Sequence, residues 1–174
     1  CALEIGAPYE PLACALADYR GAARRWQVKG RRGGVTVVDD YAHHPTELRA
    51  TLAVASGQTG SGANGRVIGI FQPHRYSRTR HMGGELGAAL RATDLLVVTD
   101  VYGAGEAPIK GVSGLSVWEG AVAEGHPQAH YLPTLDDARG FLAERLRPGD
   151  LCLTMGAGDV WRLGEDLLTI RPTI

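Results

Sequence analysis

The sequence predicts an α/β fold in which an open, mostly parallel sheet carries helices on both faces and an N-terminal hairpin. Short apolar segments alternate with segments of helical periodicity along most of the chain. The apolar segments lack polar alternation, which is typical of strands buried on both faces of a parallel sheet. A glycine-rich turn between two further strand-like segments indicates the hairpin.

The elements follow one another in regular order. The hairpin pairs residues 26–29 with residues 35–39 around a turn at residues 30–34. The predicted strands of the main sheet are residues 35–38, 67–71, 95–98, 129–132 and 151–155. The predicted helices are residues 45–55, 78–91, 114–124 and 135–147, and a last helix follows Gly158. Residues 57–65 are rich in glycine and predict a flexible surface loop.

The first residues predict a separate unit. Residues 8–19 have helical spacing but too few apolar positions to form a core of their own. We therefore place a domain boundary near Gly21. Residues 1–20 are expected to be the tail of a preceding domain, and residues 21–174 a single α/β domain.

Composition excludes several classes of protein. The 174 residues are 44% hydrophobic and 21% charged, which is enough to bury a core. A net charge of -1 disfavours binding to nucleic acid or to an anionic membrane. No apolar run approaches the roughly 18 residues of a membrane span. The 3 cysteines are too few for a disulfide scaffold, so we expect a reducing, cytoplasmic location.

Residues with ionisable side chains, which suit binding or catalysis, cluster directly after the predicted strands. They form four runs, at residues 39–45, 72–80, 99–106 and 156–159. In an open parallel sheet, ligands bind in the crevice beyond the carboxyl ends of the strands. Helix N-termini at the same edge add free backbone N–H groups. The sequence therefore predicts a binding site at this edge.

The first run supplies three candidate site residues, Asp40, Tyr41 and His43. Two adjacent aspartates repel each other, and a tyrosine and two histidines follow them at once, which favours a functional role. The alternative is that Asp39 and Asp40 form turns or helix caps, the commoner use of such residues. His44 precedes a proline and suits a capping role.

The second run supplies Arg75 and Arg78, which are three residues apart at a predicted helix start and therefore share a face. Cations at a helix N-terminus oppose the helix dipole. A bound carboxylate or phosphate would compensate them with fork geometry. The alternative is pairing within the chain, with Asp100 or Glu106.

Several motifs of known chemistry are absent. The chain has no G-x-x-x-x-G-K-[ST] phosphate loop and no nucleophile elbow, and its Gly156-Ala157-Gly158 turn is not a complete dinucleotide fingerprint. The histidines and acids of these runs match no standard metal-ligand spacing, and nearby arginines disfavour a cation, so we expect no metal site. The residues considered were Asp40, His43, His44, His74, His81 and Asp100.

Five motifs, taken together in this order, resemble the ATP-dependent Mur ligase family over residues 24 to 174. They are Arg24-Arg25, residues 39–47 (DDYAHHPTE), 71–80 (FQPHRYSRTR), 100–109 (DVYGAGEAPI) and 156–159 (GAGD). Within the family, the 71–80 run is similar to the members that add L-alanine to UDP-N-acetylmuramate. The resemblance implies a Rossmann-like third domain that binds the incoming amino acid.

The resemblance also implies roles for individual residues. Tyr41, His43, Arg75 and Arg78 match positions around L-alanine. Arg25 and Asp40 match an arginine and an aspartate that serve ATP. ATP and Mg²⁺ would be held mainly by domains absent here, as would UDP-N-acetylmuramate. No residue of this chain is expected to be catalytic, and the chain alone is expected to be inactive.

Two other functions stay open at this point. One is a stand-alone α/β module that binds an anion or a nucleotide without catalysis. The other is RNA binding through the arginines, which the sequence supports poorly because it shows no interleaved aromatic platform and no basic excess.

Overall fold

The structure, a computed structural model, describes residues 2–18, 21–59 and 65–169. Six strands form within these residues: β1 (Gln27–Arg32), β2 (Val35–Asp40), β3 (Val67–Phe71), β4 (Leu95–Val98), β5 (Ala129–Tyr131) and β6 (Leu151–Met155). The helices are α1 (Tyr9–Asp18), α2 (Pro45–Thr59), α3 (Tyr76–Ala89), α4 (Leu115–Ala123), α5 (Leu135–Ala143) and α6 (Trp161–Leu167). None of the helices in these ranges has the length and apolar character of a membrane span.

The strands form one sheet in the order β1-β2-β6-β3-β4-β5. β1 is antiparallel to β2, and the other neighbouring pairs are parallel. The predicted mostly parallel sheet with an N-terminal hairpin is therefore confirmed. Because of the register, Asp40, Met155, Phe71 and Val98 lie side by side at the carboxyl edge of the sheet. The loops that follow these residues therefore all begin at the same edge of the sheet.

Two apolar layers cover the sheet. Leu48 of α2 and Leu86 of α3 pack with Val38 on one face, together with residues of α4. Leu142 of α5 packs with Val37 on the opposite face, together with residues of α6. The side chains of adjacent strand residues point to opposite faces, so the valine-rich strands supply both layers. The prediction of helices on both faces is confirmed.

The hairpin and α2 differ in extent from the sequence prediction. The hairpin turn contains only Gly33 and Gly34, which have φ of 55° and 80° as a two-residue turn requires. β1 therefore runs on to Arg32. The predicted loop at residues 57–65 is wrong at its start, because α2 continues to Thr59. Tertiary packing of the α2 apolar face outweighs the low helix propensity of glycine and serine. Residues 60–64 lie outside the described ranges.

Other element boundaries also differ from the prediction. The predicted helix at residues 78–91 is α3, which begins at Tyr76, and α5 ends at Ala143 instead of residue 147. The strand predicted to reach residue 132 ends at Tyr131. Arg75 precedes α3 with a φ of 71°, so it is not on a helical face with Arg78 as the spacing predicted. A tight loop closed by backbone hydrogen bonds overrides the local helical pattern at this position.

Candidate functional site

The loops after β2, β3 and β6 meet at the carboxyl edge of the sheet. The Gly156 N–H donates to the carbonyl oxygen of Asp40 at 3.2 Å, and the Gln72 N–H donates to the carbonyl oxygen of Met155 at 3.0 Å. The Gln72 side chain donates to Asp159 Oδ1 at 2.8 Å. The structure thus brings three of the four predicted runs into direct contact.

Arg24 ties these loops to the segment before β1. Its Nε donates to Asp39 Oδ2 at 2.9 Å, and its two terminal nitrogens donate to the carbonyl oxygens of Gly158 (3.1 Å) and Gly156 (2.6 Å). Asp39 is completely buried and also accepts a hydrogen bond from the Thr154 hydroxyl at 2.7 Å. Asp39 is therefore an internal anchor and faces Arg24 instead of a ligand.

Asp40, the residue after Asp39, accepts hydrogen bonds from two backbone N–H groups, one before β1 and one after β2. Its Oδ2 accepts the Trp26 N–H at 2.8 Å, and its Oδ1 accepts the Ala42 N–H at 2.8 Å. Only 6% of the residue is exposed. These contacts match the turn-forming interpretation of the aspartate. They also fix the position of Trp26, next to Arg25.

Tyr41 lies between two guanidinium groups and a histidine. The Cζ atoms of Arg24 and Arg25 lie 5.1 and 5.7 Å from its ring centroid, within the range of cation–π attraction. The ring of His43 meets it edge-on, with centroids 5.2 Å apart. The tyrosine therefore joins the predicted nucleotide residue Arg25 to the predicted amino-acid residue His43.

Glu47, in the first turn of α2, organises the same loop. Its Oε2 accepts the backbone N–H groups of His43 (3.0 Å) and His44 (3.2 Å), and its Oε1 lies 3.7 Å from Arg25 Nη1. Burial raises the pKa of this carboxyl, but the His43 N–H and the charges of His43 and Arg25 outweigh burial, so the pKa is lowered. Glu47 thus stays anionic and holds Arg25 and His43 in place.

His74 lies at the centre of the group. Its ring centroid is 5.8 Å from that of His43, and the ring of Tyr102 stacks on it at 5.9 Å and 12°. Burial lowers the pKa of His74, and the nearby charges of His43, Arg78 and Arg75 lower it further. The imidazole is consequently biased towards its neutral form.

Arg75 and Arg78 lie near His74, Arg75 directly before α3 and Arg78 in its first turn. The Arg75 N–H donates to the carbonyl oxygen of Tyr102 at 2.8 Å, which supports its unusual φ of 71°, and its side chain is exposed. Arg78 is half-buried. Neither arginine forms an ion pair with any residue that the structure describes. The two guanidinium groups therefore remain available to an anion.

The predicted internal partners of these arginines are used elsewhere. Asp100 Oδ1 accepts the N–H groups of Val101 (2.8 Å) and Gly114 (2.9 Å). Glu106 accepts both the N–H (2.9 Å) and the hydroxyl (2.7 Å) of Ser77, and so caps the N-terminus of α3. These hydrogen bonds, with the Ser77 N–H first, lower the pKa of Glu106. No ion pair joins Arg75 or Arg78 to Asp100 or Glu106 among the described residues, although the charge of Arg75 contributes to the lowered pKa of Glu106.

Three residues of this site were not predicted from the sequence: Arg24, Glu47 and His74. His74 lies within the 72–80 run, where its direct proximity to Arg75 could have indicated it. Arg24 belongs to the Arg24-Arg25 motif, but the local sequence did not indicate its role, because its side-chain partners lie 15 to 134 residues away in the chain. No group of three or more His, Cys, Asp or Glu side chains in the described ranges is arranged to hold a metal ion.

The chain is similar to proteins of one family. A family model described as "Mur ligase, glutamate ligase domain" matches residues 24–158. A UDP-N-acetylmuramate–L-alanine ligase of Desulforamulus reducens is 49% identical over 92% of this chain, and one of Syntrophomonas wolfei is 47% identical over 98%. The crystal structure of UDP-N-acetylmuramate–alanine ligase from Thermotoga maritima superposes with a TM-score of 0.77 at 26% identity, over 97% of this chain.

The match covers only part of these relatives. The chain spans 34% of the Desulforamulus protein, 36% of the Syntrophomonas protein and 34% of the Thermotoga chain. The chain thus corresponds to about a third of each relative.

Proposed function

The chain belongs to the Mur ligase family, and from this membership we propose that it is the C-terminal, amino-acid-binding domain of an ATP-dependent ligase. The proposed reaction joins L-alanine to UDP-N-acetylmuramate during peptidoglycan synthesis. The names of the two curated relatives support this substrate pair. The chain alone is expected to be inactive, because it spans about a third of those relatives.

One observation carries the proposal: Arg75 and Arg78, which form no ion pair with the residues that the structure describes, are close enough to His74 for their charges to lower its pKa, and His74 contacts His43. L-alanine has a carboxylate, an amine and a methyl group. A pair of guanidinium groups suits the carboxylate through charge-assisted, bidentate hydrogen bonds. Tyr41 and His43, whose rings are in contact, are proposed to lie next to the methyl group.

The nucleotide side of the proposed site is formed by Arg25 and Asp40. Arg25 is half-exposed and is positioned by Tyr41 and Glu47, so its guanidinium can face a phosphate or a ribose on a neighbouring domain. Asp40 has one carboxylate oxygen on each of two backbone N–H groups, and each oxygen retains a second lone pair for a hydroxyl donor. ATP would supply the phosphoryl group that activates the carboxylate of UDP-N-acetylmuramate.

Other parts of the ligase are proposed to lie outside this domain. We assign Mg²⁺ and UDP-N-acetylmuramate to the regions of the relatives that this chain does not span. We also assign residues 1–20 to the preceding domain. In support, α1 has no buried residue, and Tyr9 and Leu16 are 69% and 72% exposed. The small-molecule substrates and the composition favour a cytoplasmic enzyme.

The test is Arg75→Ala in the full-length ligase that contains this domain. The Michaelis constant for L-alanine is expected to rise by about 10- to 100-fold, since a hydrogen bond to a charged group contributes about 1.5–3 kcal/mol. The Michaelis constant for ATP should change little. Arg80→Ala, an exposed arginine on the same helix, is the matched control and should leave both constants unchanged.

Three results would contradict the proposal. An equal rise of both Michaelis constants in Arg75→Ala would place this arginine at the nucleotide or in folding. Product formation by the 174-residue chain alone would contradict the expectation that this domain is inactive without the rest of the ligase. Tight ATP binding by that chain in calorimetry would instead support a stand-alone nucleotide-binding module.

A further inference from the structure

Two buried polar side-chain atoms of the described residues have no hydrogen-bond partner, and both lie in the group around α3. They are His74 Nδ1 and Arg78 Nη1. Buried polar atoms are almost always paired, because an unpaired one loses its hydration without compensation. Two such atoms, one an imidazole nitrogen and the other a guanidinium nitrogen, indicate that this place is built for a ligand with both a donor and an acceptor.

The backbone and the stacked ring hold His74 firmly. It forms a parallel bridge with Tyr102, whose N–H donates to the carbonyl oxygen of Pro73 at 2.8 Å. The ring of Tyr102 stacks on the imidazole, and the ring of His43 meets it edge-on with centroids 5.8 Å apart. His43 differs from His74 because its own Nδ1 already lies 2.8 Å from the carbonyl oxygen of Tyr41. Of these two described histidines, His74 is the one whose Nδ1 is unpaired.

The charges that face His74 keep it unprotonated. His43 faces it from the loop after β2, and Arg75 and Arg78 face it from α3. Glu106, from the loop after β4, acts in the opposite direction, but burial and the three positive or potentially positive groups outweigh it. Burial and these charges therefore favour the neutral imidazole, in which Nδ1 is the acceptor when the proton is on Nε2.

In an α-amino acid, the amine and the carboxylate are bonded to the same carbon atom, so a carboxylate held by Arg75 and Arg78 brings its ammonium group next to His74. We propose that His74 is a catalytic residue that receives a proton from this ammonium group at Nδ1. The inference rests on the proposed function and deepens it. Because both unpaired atoms are buried, the proposal includes a movement of the side chains around them as the amino acid enters.

The step balances in protons and electrons. One N–H bond of the ammonium group breaks, the proton bonds to Nδ1, and the electron pair stays on the amine nitrogen. That pair forms the new C–N bond with the phosphate-activated carboxyl carbon of UDP-N-acetylmuramate, which gives a tetrahedral intermediate. As the C–O bond to phosphate breaks, a second N–H proton passes to the departing phosphate, so a neutral amide and hydrogen phosphate remain. The positive charges around the imidazole favour return of the proton to solvent after the product departs.

The experiment compares His74→Asn with wild type in the full-length ligase. Asparagine can accept a hydrogen bond near the Nδ1 position but cannot take up a proton. We expect kcat with L-alanine to fall about 100-fold or more, the usual contribution of a general base. In wild type, kcat/KM for L-alanine should fall as the pH drops below the ordinary histidine pKa of about 6.5, and this limb should disappear in the variant.

Hydroxylamine provides the second measurement, because this amine is already neutral at neutral pH and needs no base. Hydroxamate formation from the activated carboxyl should be equal in His74→Asn and wild type. His81→Asn, an exposed histidine on α3, is the control and should match wild type in every assay.

The outcomes separate this inference from the proposed function. An equal loss with L-alanine and hydroxylamine, or an unchanged rate and acid limb in His74→Asn, would overturn the role of His74. Failure of the wild-type ligase to use L-alanine would instead overturn the proposed function.

Discussion

Replacing Arg24 by alanine is expected to destabilise the domain strongly, although the residue lies outside every helix and strand. The substitution removes three hydrogen bonds, to the carboxylate of Asp39 and to the carbonyl oxygens of Gly156 and Gly158. All three partners are buried. After the substitution, Asp39 Oδ1 keeps the Thr154 hydroxyl, but Oδ2 loses its partner.

The expected loss follows from these contacts. Removing one member of a buried ion pair costs about 3–5 kcal/mol, because the remaining charge is left uncompensated. The Arg24 side chain is 22% exposed, so water can replace part of the guanidinium and reduces the cost. We therefore expect the free energy of unfolding to fall by about 2–4 kcal/mol, which is a large part of the total stability of a typical domain.

Urea denaturation of the 174-residue chain measures this change, with Arg49→Ala, an exposed arginine on α2, as the control. A double-mutant cycle with Asp39→Asn should give a coupling energy above about 1 kcal/mol, since the two side chains are in contact. A loss below about 1 kcal/mol in Arg24→Ala, or additive effects in the cycle, would refute the reasoning.

Two further predictions concern the frame around the site. Gly87→Ala should destabilise the domain by about 1–3 kcal/mol in urea denaturation, because the new Cβ would lie 2.7 Å from the carbonyl carbon of Gly120 on α4. Gly84→Ala, on the same helix but with open space, should be neutral or stabilising by up to about 1 kcal/mol; equal effects would contradict the prediction. The second concerns pH. Burial lowers the pKa of His126, whose Nδ1 accepts the Gln128 N–H at 3.1 Å. The unfolded chain therefore binds the proton more tightly, and the free energy of unfolding should fall as the pH drops from about 6.5 towards the lower folded pKa. His126→Asn should flatten this dependence in thermal unfolding, and an unchanged slope would rule out His126 as its source.

Much of the architecture could be read from the sequence because it depends on local patterns. Unbroken apolar runs such as Val67–Phe71 predict buried strands, since both faces of a parallel sheet are covered. Chemistry-bearing residues placed directly after such strands must lie at the carboxyl edge. The boundaries were less accurate, as at Thr59 and Tyr76, because tertiary packing and turn geometry override propensity at the ends of elements.

The strand order could not be read from the sequence. The last strand, β6, inserts between β2 and β3, and this insertion places Gly156 and Gly158 within reach of Arg24. Such contacts join residues more than 100 positions apart, so no local pattern records them.

The side-chain partners at the site were decided in the same way. The buried Asp39 pairs with Arg24, whereas Arg75 and Arg78 form no ion pair within the described ranges and lie near His74, whose pKa is lowered by burial and by nearby charges. Local sequence specifies which residues lie at the edge of the sheet, because the residues that directly follow parallel strands all lie at its carboxyl edge. Which of them pair with one another, and which remain free for a ligand, depends on distances that exist only once the whole sheet has assembled.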